Sequence, residues 1–234
     1  MNEAYVLDYV RTARGYGSPL GGLHHLSPLD LVIGLQRALV ERGVEPSTVE
    51  DLVLGCASQT GEQGGNLART ATLLAGWGDG VPGVTVNRFC ASGIDAVALT
   101  AARVRSGELS LAVAGGVESG SRVPMSSDRA PLWTDAEVVR HTGTVHMGVA
   151  ADLNATLDGL SRDDLDGYAW ESQHKAVSAW RAGTFTRSVI PIGGLALDEL
   201  IRPDTSRASL AALPPAFAAV GAQGQDRLAL STRA

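Results

Sequence analysis

One cysteine of this sequence stands where a thiol can act as a nucleophile. Cys90 lies in the run VTVNRFCASGIDAVALTAARV, residues 84–104. Val84, Thr85 and Val86 read as a strand, because β-branched side chains fit a pleated, buried surface. The small residues Ala91, Ser92 and Gly93 follow, and an apolar helical stretch runs from Ile94 to Val104. A thiol at such a corner lies against a helix N-terminus. Unpaired N–H groups and the positive end of the helix dipole there favour thiolate over thiol. The thiolate is the form that attacks carbonyl carbon. The helix is apolar on nearly every face, so it is expected to be buried at the centre of the fold. Most free cysteines are inert core fillers, but a corner backed by a rigid, buried helix suits a nucleophile. Cys56 ends the run DLVLGC with no helix starting on it, and it reads as core.

The elements around Cys90 read as alternating strands and helices. Ala4 to Tyr9 is expected to form a first strand, followed by a glycine-rich loop to His25. Ser27-Pro28-Leu29-Asp30 starts a helix that carries Leu31, Leu35, Ala38 and Leu39 and ends near Gly43. A strand over Val49–Cys56, a helix over Asn66–Ala75 and a strand over Leu109–Ala114 complete the set. The glycines at 61, 64 and 65 lack the spacing of a phosphate loop. This alternation implies an α/β fold with a mostly parallel or mixed sheet and helices on both faces. From Ser119 to about Ala150 periodicity fades into loops with short elements. Ser161-Arg162-Asp163-Asp164 then opens a long helix with Leu165, Ala169, Ala176, Ala179 and Trp180 along one side, ended by Gly183. From Gly221 the chain is polar and unpatterned and reads as a disordered tail. The sequence shows no internal repeat.

Composition narrows the class. The 234 residues suffice for one large or two small domains, and 44% hydrophobic with 19% charged residues is globular. A net charge of −6 argues against a general nucleic-acid or membrane-surface role. No run is long and apolar enough to span a bilayer, and the start MNEAYVLDYVRTARG lacks a secretory pattern. Two cysteines make no disulfide framework, so a reducing, cytoplasmic setting is expected.

The motif V-N-R-x-C-A-S-G, ending at Gly93, resembles the nucleophile signature of the thiolases, which make or cleave 3-ketoacyl-CoA. AGGVESGSRVPM, residues 114–125, resembles the family's second signature, with Gly120 where Met is commoner. GEQGGNLARTATLLAG, residues 61–76, is similar to its dimer-contact stretch. The segment from His146, HMGVAADLNATLDGLSRDDLDGYAWESQHKAVSAW, and RPDTSRASLAALPPAF, residues 202–217, resemble the start and end of its substrate-covering loop domain. The resemblance implies a thiolase-like N-terminal half with a buried central helix and an inserted loop domain. The core domain is expected over 1–118 and the loop domain over 119–234. The family's later motifs do not occur, namely an A-G-N-x-S-G-like turn and N-E-A-F-like, G-H-P-like and C-x-G-G-G-like loops. The C-terminal thiolase domain is therefore expected to be absent.

By resemblance, Cys90 forms an acyl-enzyme for Claisen condensation or thiolytic cleavage. The substrate is a coenzyme A thioester, with no resident cofactor or metal. His146 and Met147 match the pair lining the acyl and pantetheine pocket. Arg202 and Ser209 match positions near the adenine and pantetheine of CoA. Asn87 and Arg88 read as structural supports and dimer contacts. The base and second cysteine belong to the missing half, so a second polypeptide or the remainder of a longer chain is the implied partner. A homodimer or higher oligomer through residues 61–90 is also implied. The alternative is a non-catalytic acyl-CoA-binding or assembly subunit of a thiolase-like complex.

Overall fold

The structure is a computed structural model and describes residues 3–231. Its elements are β1 (Arg11–Thr12), α1 (Pro28–Glu41), β2 (Leu52–Gly55), α2 (Leu67–Leu74), β3 (Gly83–Val86), α3 (Ser92–Ser106) and β4 (Val113–Gly116). There follow α4 (Pro131–Thr134), α5 (Ala136–Thr142), α6 (Met147–Leu157), α7 (Arg162–Arg181), β5 (Val189–Ile190), α8 (Arg207–Ala211), α9 (Ala218–Val220) and α10 (Asp226–Ser231). The chain divides into two compact units. The first runs through Asp128 and includes Phe185–Leu200; the second comprises Arg129–Thr184 and the chain from Ile201 onward.

In the first unit, β2, β3 and β4 form a parallel sheet in the order β3-β2-β4. Alternate residues of a strand face opposite sides. Leu52 and Leu54 join Val32 and Ile33 of α1 and Leu67, Ala68 and Ala71 of α2 in one buried cluster. Gly55, on the other face, meets the start of α3. Helices thus cover both faces, as an α/β alternation requires. The start of α1 is a reciprocal cap: the Asp30 N–H donates to Ser27 Oγ at 3.1 Å, and Asp30 Oδ2 accepts from the Ser27 N–H at 2.9 Å. Gly43, with φ of 95°, follows its end in the left-handed conformation.

Four expectations are corrected within this unit. Ala4–Tyr9 forms no strand, and Tyr5, Val6, Leu7 and Tyr9 are exposed, because no described strand offers them a ladder. Only Arg11–Thr12 pairs, in parallel, with Val189–Ile190. The last strand begins at Val113 rather than Leu109. Glu50 takes the Ser110 and Leu111 N–H groups first, and Gly115 and Gly116 lie inside the ladder. Helix α3 is buried along one stripe only, through Ser92, Ala96 and Thr100. Ile94 is 77% exposed and Val97 and Leu99 are also open, because the sheet supplies apolar cover on one side alone.

The fourth correction concerns the domain boundary. It falls after Asp128 rather than Glu118, and residues 185–200 return to the first unit. Asp198 and Glu199 hold that return. Asp198 takes both Arg11 guanidinium nitrogens at 2.8 and 3.0 Å and the Arg14 N–H at 2.8 Å. Glu199 accepts from the N–H groups of Tyr16 at 2.7 Å and Gly22 at 3.1 Å.

The second unit is helical. Ser161 and Asp164 form the expected reciprocal cap of α7, and Gly183 ends it with φ of 69°. Arg162 bridges Asp166 at 2.8 Å and donates to the Leu210 and Leu213 carbonyls, pinning α8 to the start of α7. Helix α6 escapes a sequence reading because its apolar residues form no single stripe and only Val149 is buried. The segment after Gly221 is helical rather than irregular as far as Ser231, with a break at Gly224 (φ 105°) and Ala229 buried. Residues 232–234 lie outside the described residues. No described helix is long and apolar enough to cross a membrane.

The glycine at the end of β2 is the tightest contact of the sheet. A Cβ on Gly55 would lie 2.2 Å from the Ser92 carbonyl carbon and 2.4 Å from the Gly93 nitrogen. Backbone cannot yield as a side chain end does, so Gly55→Ala is expected to cost about 3 kcal/mol. The urea midpoint of unfolding measures it; an unchanged midpoint would contradict this packing.

Candidate functional site

Cys90 sits where three strand ends converge. The carboxyl ends of parallel strands are where α/β folds place their chemistry. Here β2 leads into Cys56 and Ala57, β3 into Asn87–Cys90, and β4 into Glu118. The chain turns sharply after β3. The Ala91 N–H donates to the Arg88 carbonyl at 3.1 Å and the Ser92 N–H to the Phe89 carbonyl at 3.0 Å. Phe89 takes a left-handed φ of 49°, a conformation that costs a non-glycine residue about 1 kcal/mol. Ser92 offsets part of this strain: its Oγ accepts from the Arg88 N–H at 2.8 Å and donates to the Phe89 carbonyl at 2.6 Å.

Asn87 ties the turn to the neighbouring strand. Its Oδ1 accepts from the Phe89 N–H at 2.8 Å and its Nδ2 donates to the Ala57 carbonyl at 2.9 Å. Arg88 points instead to Asp95 in the first turn of α3, at 2.8 Å. That acid also complements the helix dipole. Cys90 precedes the α3 cap residue Ala91, which offers no side-chain cap, and the thiol is exposed. Within its unit, among the described residues, no side chain hydrogen-bonds to the Cys90 sulfur.

The second thiol is in the opposite situation. Cys56 is 1% exposed. Burial, and then the negative charge of Glu118, push its pKa up to about 11. Gln63, also buried, donates from Nε2 to Cys56 Sγ at 3.4 Å, the Ser58 carbonyl at 2.9 Å and Glu118 Oε1 at 2.6 Å. Its Oε1 accepts from the Ser119 N–H at 2.6 Å. Glu118 Oε2 accepts from the Ala57 N–H at 2.9 Å. Sequence reading passed over Gln63 and Glu118. Both stand inside quoted motifs, but only tertiary contact shows that they meet.

The remaining candidates lie in the second unit, described by itself. His146 caps α6: its Nδ1 accepts from the Gly148 N–H at 3.1 Å, so the ring proton sits on Nε2. Its ring lies 4.9 Å from that of Phe217, and its backbone N–H donates to Gln225 Oε1 at 2.9 Å. Met147 follows, 59% exposed. Arg202 uses its backbone N–H to reach Gln173 Oε1 at 2.7 Å, and its side chain is exposed. Ser209 is committed to the α8 cap: its Oγ accepts from the Ser206 N–H at 3.0 Å and donates to the Ser206 carbonyl at 2.9 Å. Arg202 thus precedes α8 and Ser209 lies within its first turn, while His146 and Met147 start α6. Among the described residues no group of three or more His, Cys, Asp or Glu is placed to hold a metal ion.

The family model for the thiolase N-terminal domain matches residues 4–224. The chain belongs to the thiolase family. Curated thiolase relatives agree. The 3-ketoacyl-CoA thiolases of Enterobacter sp. (strain 638), Klebsiella pneumoniae subsp. pneumoniae and Yersinia pestis are each 36% identical to it over 230 residues. The match covers 93% of this chain and 58% of each of those thiolases. The chain therefore spans a little over half the length of the thiolases it matches, and its fold is that of the thiolase N-terminal half.

The Cys56 surroundings make a pH prediction. Its folded pKa of about 11 lies above the ordinary 9.0. The folded state therefore holds the proton longer than the unfolded chain. The stability this contributes is complete below pH 9 and is lost as pH rises toward 11. Urea unfolding across that window is expected to show a steeper loss in the parent than in Cys56→Ala. Parallel losses would count against a buried, neutral Cys56.

Proposed function

We propose that this chain is the nucleophile-bearing part of a thiolase-type acyl-CoA acyltransferase. The observation that carries the reading is the Cys90 corner: an exposed thiol on a tied turn, before an uncapped helix start, at the carboxyl ends of parallel strands. The Cys90 thiolate attacks the carbonyl carbon of an acyl-CoA, the C–S bond to coenzyme A breaks, and CoA leaves as its thiolate. The acyl group stays on Cys90 as a thioester, so the exchange is close to neutral in energy. The Cys90 backbone N–H serves as one arm of the oxyanion hole.

Condensation needs a second acyl-CoA deprotonated at its α-carbon, with a base for that proton and donors for the enolate oxygen. The remainder of the thiolase polypeptide supplies these groups, in a longer chain or as a separate one. The exposed face of α3 at Ile94, Val97 and Leu99 supports such a completing layer. In the reverse direction, CoA thiolysis splits a 3-ketoacyl-CoA on the same cysteine. His146, through its Nε2–H, and Met147 contact the acyl and pantetheine portion, and Arg202 the nucleotide end. Ser209 shapes that loop through its cap, since its hydroxyl is already engaged. Self-association through residues 61–90 is part of the proposal, supported by the exposed Leu73, Leu74, Val84 and Phe89.

Incubation with acetyl-CoA and with a medium-chain acyl-CoA, followed by intact and peptide mass spectrometry, tests the first step. The expected result is one acyl group on Cys90, lost in Cys90→Ala and absent from Cys56. Acylation elsewhere, or none on Cys90 in a folded protein, would reject the proposal.

A further inference from the structure

The Cys90 turn is held from a distance. Its last tie, Asn87, leans on a single residue, Ala57. That residue is held through both of its backbone groups: its carbonyl accepts from Asn87 Nδ2 at 2.9 Å, and its N–H donates to Glu118 Oε2 at 2.9 Å. Glu118 is in turn fixed by Gln63 Nε2 at 2.6 Å, and Gln63 by the Ser119 N–H. Gln63 is 1% exposed, so its amide has no water to fall back on and its orientation is set by these partners. The hydrogen bonds run from the loop after β4, through the loop after β2, to the loop after β3. The nucleophile signature reaches Ala57 only at its carbonyl, through Asn87; the N–H side is held from outside the signature, by Glu118.

We infer that Glu118, oriented by Gln63, is a positioning residue for the nucleophile: it holds the Ala57 residue against which Asn87 aligns the Phe89–Cys90 turn. This deepens the proposed function and rests on Cys90 being the acylated thiol. Glu118 itself touches no reacting atom. Its carboxylate suits the task because it must accept from Ala57 and from Gln63 at once, with the Cys56 thiol also 3.9 Å from Oε2. An amide at 118 keeps the reach but offers one acceptor oxygen, and an alanine offers none.

Hydrogen exchange of the peptide spanning residues 86–92, with that of α1 as internal reference, is the direct test. Glu118→Ala and Asn87→Ala are each expected to speed exchange there about tenfold, the equilibrium equivalent of one lost hydrogen bond. The double variant should go no further than the larger single effect, because both act through one tie. Glu118→Gln should fall between Glu118→Ala and the parent, which keeps the test available if the alanine variant does not fold. In acylation by acetyl-CoA, the limiting rate should drop about tenfold while the half-saturating concentration stays put. Glu118→Gln should restore part of that rate.

Parent-like exchange in Glu118→Gln and in a folded Glu118→Ala would overturn the inference. So would multiplicative effects in the double variant, or equal acceleration in α1. Were the parent not acylated on Cys90, the acyl-enzyme reading would fall while the exchange data still decided whether Glu118 holds the turn.

Discussion

The first unit depends on one close approach of backbone to backbone. The start of α3 descends onto the end of β2 at a distance that only glycine at position 55 permits. The neighbouring glycines extend the contact. A Cβ on Gly116 would meet the Gly55 carbonyl oxygen at 2.9 Å and the Gly93 Cα at 3.4 Å. Three glycines from three elements thus let a helix start sit over two strand ends. Everything at the corner follows from that seat. The turn from β3 must be short and must pass through a left-handed Phe89, and Cys90 is left facing outward just before the helix.

The two thiols show how environment divides one chemistry. Both follow parallel strands of the same sheet, yet one is sealed among Gln63, Glu118 and the strand ends and the other is open. The carboxylate of Glu118 opposes ionisation of Cys56, and the Oε2 that faces this thiol at 3.9 Å also accepts from the Ala57 N–H. The same group therefore adds to the burial that raises the pKa of one sulfur, and it bonds to the residue against which the turn of the other is tied.

Local chemistry was legible in the sequence wherever it was local in space. The caps at Ser27 and Ser161 are written in four consecutive residues, and both appear as read. The strands at β2 and β3 and the corner at Cys90 were also readable, because β-branched runs and a break into small residues are short-range signals. The misreadings involve distant partners. Ala4–Tyr9 has strand composition but no ladder, and composition cannot supply one. The return of residues 185–200 rests on Asp198 and Glu199 meeting residues nearly two hundred positions earlier. Cys90 was singled out by its neighbours in sequence; Gln63 and Glu118 were passed over because they meet from loops 55 residues apart.

That separation also has a history in time. Cys90 is synthesised well before Glu118, yet its turn borrows its last anchor from the later residue. Chains fold from the N-terminus as they emerge, and contacts between distant segments form after the intervening chain is available. During synthesis, then, the local ties of the turn, through Ser92 and Asn87, become available before the tie of Ala57 to Glu118. The order of strands along the gene thus sets the order in which the bonds around Cys90 can close.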